Sequence, residues 1–94
     1  MPLLKRFMIE REIAGVGSMS QAELCGASRS SICALEKLPG AIQWQHSYVT
    51  GDRTYCIYLA ENEQAILKHS ELSGIPATRI VEISSIIDPL TAVD

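Results

Sequence analysis

The stretch IQWQHSYVTGDRTYCIYLA, Ile42 to Ala60, decides the fold, because it reads as two alternating strands folded back on each other. Gly51 in TGDR suits the positive φ of a tight reversal, and Thr50 then pairs with Arg53. Counting outward sets His46 opposite Ile57, Tyr48 opposite Tyr55 and Trp44 opposite Leu59. One face is expected to carry Ile42, Trp44, His46, Tyr48, Tyr55, Ile57 and Leu59. The other takes Gln43, Gln45, Ser47, Val49, Thr54, Cys56, Tyr58 and Ala60.

On the amino-terminal side, LLKRFMIERE alternates around Phe7 and Ile9, with Arg6, Met8 and Glu10 on the opposite parity, which predicts a half-buried strand. Ser20 followed by Glu23 forms a capping-box pattern, and the helix it opens should run to about Leu38, where Pro39-Gly40 stops it. At 100° per residue Leu24, Ser28, Ile32, Leu35 and Leu38 share its buried face, leaving Cys33 outside. After the hairpin, Asn62 caps a second helix that ends at Gly74, with Ala65, Ile66 and Leu72 on its apolar arc and His69 near the middle of it. TRIVEIS is a fourth strand, and Pro89 breaks the tail from 85 to 94.

Strand, helix, strand, strand, helix, strand is the ferredoxin-like order, an α+β fold with a four-stranded antiparallel sheet and two helices on one face. The expectation is one such domain over 1–94. Met8, Glu10, Gln43, Gln45, Ser47, Cys56, Tyr58 and Glu82 should lie on the uncovered face. A mixed, unroofed face of this kind commonly meets its twin, so a homodimer resembling an α/β barrel is predicted.

Composition bounds the function. The 94 residues are 47% hydrophobic and 20% charged, with a net charge of −3, and the eight basic residues are scattered, against nucleic-acid binding. No uninterrupted apolar run follows the basic residues of MPLLKRFMIERE, so neither a secretory signal nor a membrane span is expected, and a cytoplasmic setting is inferred. Cys25, Cys33 and Cys56 are odd in number, and the first two stand eight residues apart on one helix, about 12 Å of rise. Reduced thiols are the simplest reading.

His46 and His69 are candidate ligands for a divalent transition metal such as nickel, zinc or copper. A histidine on an apolar helical face is more often a hydrogen-bonded core residue, and that alternative stands for His69. The topology separates the two imidazoles, so joint use would need a second subunit. Cys56 and Tyr58, with Glu10 approaching from the neighbouring strand, complete the candidate metal set; packing of a buried thiol is the competing role for Cys56. No organic cofactor is predicted.

WQHSYV from Trp44, TYCIY from Thr54, the late-helix His69, GIPA from Gly74 and RIVEI from Arg79 together resemble a family of small bacterial proteins with a dimeric ferredoxin-like fold, some of them nickel-binding. IIDPLTA resembles the family's carboxyl end, although the Pro usual before the second helix is absent, since Glu61 follows Ala60 directly. The resemblance implies a homodimer and nickel as the metal.

Two other functions fit the same residues. A cofactor-independent lyase or oxygenase of dimeric α/β-barrel type could use Glu10, His46 or Tyr58 as acid or base; Pro2 could become an amino-terminal proline after Met removal, as in tautomerases, but the rest of the chain does not resemble that family. A pure interaction module would need neither metal nor pocket. The enzyme reading requires polar groups converging in an enclosed pocket.

Overall fold

The computed structural model describes residues 3–93, so Pro2 lies outside the described residues. Strands β1 (Lys5–Glu12), β2 (Ile42–Val49), β3 (Arg53–Ala60) and β4 (Arg79–Ile83) form one antiparallel sheet in the order β2-β3-β1-β4. Helices α1 (Gln21–Glu36) and α2 (Glu63–Ser73) pack against each other and over one face of it. This is the ferredoxin-like arrangement. No helix among the described residues is long and apolar enough to cross a membrane.

Local chemistry sets the ends of the elements. The Ser20 hydroxyl accepts from Glu23 N–H at 3.2 Å while the Glu23 carboxylate accepts from Ser20 N–H at 3.0 Å, closing the capping box of α1. Asn62 caps α2 through Ala65 N–H at 2.9 Å, and Gly74 ends it with φ 74°, a conformation that favours glycine. Thr50 and Arg53 pair across the reversal at 2.9 Å. Gly51 does not have the expected positive φ. What this turn needs is room: Gly17 N–H donates to Gly51 carbonyl at 2.9 Å, and a Cβ on Gly17 would come within 2.5 Å of the Thr50 carbonyl.

The register corrects the expected division of faces. Phe7 stands opposite Tyr58 and Ile9 opposite Cys56, and directly opposed residues point to the same side. Phe7, Ile9, Cys56, Tyr58, Ala60 and Ile66 of α2 therefore form the core, so Cys56 and Tyr58 lie beneath the helices and not on the open face. Small Cys56 and Ala60 fit under the helical layer. The bulkier Tyr55, Ile57 and Leu59 are left for the open side, with Met8, Glu10, Val81 and Ile83.

A second correction lies in β2. A bulge between Trp44 and His46 adds one residue, Gln45, to this strand, so His46 and Tyr48 keep their expected partners Ile57 and Tyr55 while Trp44 stands opposite Tyr58 instead of Leu59. Trp44 thus turns toward the helices, and so does Ser47 opposite Cys56. On α1 the buried positions are Ser31 and Ala34, whereas Ile32 is 46% exposed; Leu72 on α2 is also exposed. Cys33 lies outside, as expected.

Candidate functional site

Two places concentrate chemistry, one on each side of the sheet. Beneath the helices, β1 continues its inward parity from Phe7 and Ile9 to Arg11, whose side chain is only 2% exposed. Its Nη1 donates to Ser70 Oγ at 3.0 Å, Ile75 carbonyl at 3.1 Å and Pro76 carbonyl at 2.9 Å. Nη2 has no partner. The guanidinium carbon sits 5.9 Å from the Tyr58 ring centroid, a cation over an aromatic face.

Next to this cation, Ser31 of α1 links Tyr58 of β3 to His69 of α2. Its hydroxyl lies 3.4 Å from the Tyr58 hydroxyl and 3.2 Å from His69 Nε2, and its carbonyl is 3.3 Å from the same nitrogen. The imidazole is fully buried and its ring centroid stands 5.3 Å from that of Tyr58. A proton on Nε2 satisfies the Ser31 carbonyl, leaving Nδ1 without a partner. Burial pushes the His69 pKa below its ordinary value; the Ser31 carbonyl pulls it back up, and the nearby Arg11 charge adds to the depression. His69 is accordingly a neutral histidine at neutral pH. Burial also raises the Tyr58 pKa, while the Ser31 hydroxyl and the Arg11 charge oppose the shift.

A cleft of about 270 Å³ opens between α1 and the sheet beside this network. Arg11, Ser31 and Tyr58 line one part of it; Val16, Leu24, Trp44 and Cys56 supply apolar wall. Cys56 Sγ is 3.5 Å from Thr54 Oγ1.

On the open face His46 is exposed, with Nε2 3.1 Å from the Tyr48 hydroxyl and the two rings edge to face at 5.1 Å between centroids. Both line a shallow depression with Arg6, Ile57 and Ile86. Glu10 lies on this face too, but its carboxylate is paired with Arg53. The five candidate ligands are thus divided: Glu10 and His46 on the open side, Cys56, Tyr58 and His69 beneath the helices, where only Tyr58 and His69 come together. The expected approach of Glu10 to Cys56 and Tyr58 does not occur. Among the described residues no group of three or more His, Cys, Asp or Glu could hold a metal ion.

Arg11, Ser31 and Ser70 went unnoticed in the sequence. Arg11 had a signal, since it shares the parity of Phe7 and Ile9; Ser31 lies three residues after Ser28 and four before Leu35 on the buried helical arc. Ser70 had none.

The fold and these two sites define a small ferredoxin-like α+β protein. The family model described as "Nickel responsive protein SCO4226-like" matches residues 7–83, and the chain belongs to that family. Among solved structures it is similar to SCO4226 from Streptomyces coelicolor A3(2), at 15% identity and a TM-score of 0.73, covering 87% of this chain and 99% of that one. At that identity the likeness speaks for the fold. No curated protein matches the chain.

Proposed function

We propose that the protein acts as a nickel-responsive homodimer, with two open sheet faces packed together in a barrel-like assembly and His46 as the metal-binding imidazole. The observation that carries the reading is the open face itself. Met8, Ile57, Leu59, Val81 and Ile83 form a half-buried apolar surface there, of the kind a second subunit covers, and His46 stands among them. The tail adds to it: Ile86, Ile87, Leu90 and Val93 are exposed just past β4, as an arm awaiting a second subunit. An interface of about 800 Å² per partner is the usual size for such a contact.

Among the described residues the donors of a single chain do not suit nickel, because His46 is the accessible imidazole and Arg6 beside it opposes a bare cation. A metal held there needs anionic or imidazole donors from the second copy. His46 would bind as a neutral ligand, which suits nickel. The family's printed nickel response supports this choice of metal. The cytoplasmic setting belongs to the same proposal.

Sedimentation velocity with and without nickel, paired with nickel calorimetry on the wild type and His46→Ala, tests both parts. The expected mass is twice the 10.3 kDa of one chain, and His46→Ala should lose the nickel heat. A monomer at 100 µM removes the dimer. An unchanged isotherm in the variant removes His46.

A further inference from the structure

We propose that the cleft between α1 and the sheet is a binding site for a small apolar monocarboxylate, whose carboxylate pairs with the free Nη2 of Arg11. This does not rest on the metal reading, which concerns the opposite face of the sheet.

The argument begins with a charge. Arginine stays protonated in proteins, and Arg11 is 2% exposed, so its cation lies out of water. None of the ion pairs among the described residues includes it; the carboxylates on the two adjacent positions, Glu10 and Glu12, belong to the other parity of the strand and are both paired with Arg53. Three neutral oxygens occupy Nη1 and leave Nη2 unpaired. A buried charge without a counterion is costly, and an anion reaching it is correspondingly favoured. Guanidinium and carboxylate geometry match in a fork.

The rest of the cleft sets the body of the ligand. Its walls are mainly apolar, and the exposed rim residues Ala27, Val49 and Pro76 mark a way in from solvent. Benzene fits a cavity of about 150 Å³, so the 270 Å³ here takes one substituted ring or a short branched chain with its head group. Tyr58 and Ser31 line the same space, and their hydroxyls, 3.4 Å from each other, are the donors available to a second carboxylate oxygen. A small aromatic or branched aliphatic acid satisfies every one of these features. A neutral alcohol of the same shape would leave Nη2 charged and unpaired.

The test titrates the full chain with sodium benzoate and, separately, benzyl alcohol, following Trp44 emission and the melting temperature. Trp44 is the chain's single Trp and lines the cleft. Benzoate should saturate, raise the melting temperature and bind at least tenfold more tightly than the alcohol, which corresponds to about 1.4 kcal/mol. Arg11→Gln should erase that preference. Ser28→Phe, which fills the cleft from α1 and keeps Arg11, should abolish benzoate binding while the chain stays folded, and it decides the matter if Arg11→Gln does not fold. The proposal is overturned if benzoate, phenylacetate and hexanoate all give no saturable response. Equal affinity for benzoate and benzyl alcohol, or undiminished benzoate binding by Ser28→Phe, overturns it as well.

Discussion

Trp44 Nε1 donates to Ser47 Oγ at 2.9 Å, joining two residues three apart on one strand that regular pleating would send to opposite faces. The Gln45 bulge makes the contact possible and delivers the indole to the helical side, where it lines the cleft.

That contact can be weighed. Ser47→Ala removes a neutral, half-buried hydrogen bond, and a loss of about 1 kcal/mol in urea unfolding is expected, with a shift in Trp44 emission. Deleting Gln45 should cost more, about 2 kcal/mol or above, because the indole then loses its place against the core. A deletion variant as stable as the wild type would show that the bulge does not position Trp44.

The loop carrying Gly17 gives a sharper contrast. Gly17→Ala forces a methyl group to 2.5 Å from the Thr50 carbonyl and 2.9 Å from Gly51 Cα, both backbone atoms that cannot turn aside. Overpacking of this kind costs roughly 1–3 kcal/mol. Gly51→Ala meets nothing within 4 Å and has no positive φ, so the expected change is neutral or a gain of about 0.4–1 kcal/mol. Thermal denaturation of the two variants side by side reads the difference.

Stability should fall on the acid side of neutrality through His69. Burial lowers its pKa in the folded chain, so the unfolded chain binds the proton more readily. The contribution is whole above the ordinary value of 6.5 and declines as pH drops below it. His69→Gln, which cannot take up that proton, should show a flatter dependence of unfolding free energy between pH 7.5 and 5. An unchanged slope would place the acid sensitivity elsewhere.

On the open face, Ile57→Asp should leave far-UV circular dichroism unchanged and, for the homodimer proposed above, halve the sedimenting mass, because the residue faces away from the core and a carboxylate there opposes close packing. A variant that unfolds instead would mean that Ile57 is needed within one chain.

Much was legible in the sequence. Ser20 with Glu23, Asn62 and Gly74 fixed three helix ends through local hydrogen bonds and one left-handed residue, which depend on neighbours in the chain and nothing further. Phe7 and Ile9 stated the inward parity of β1, and the pairs His46 with Ile57 and Tyr48 with Tyr55 followed by counting from the turn. Element order then sufficed for the ferredoxin-like topology, since short connections and handedness leave few ways to assemble it.

Which side of β3 goes under the helices is another matter. Tyr55, Ile57 and Leu59 are as apolar as Cys56, Tyr58 and Ala60, so alternation alone carries no preference, and the choice falls to the register with Phe7 and Ile9. The extra residue at Gln45 has no local signature either. Only the assembled sheet decides it, and with it the company of Trp44, Arg11, Ser31 and His69: contacts between residues up to 65 positions apart are set by packing, which no local pattern encodes.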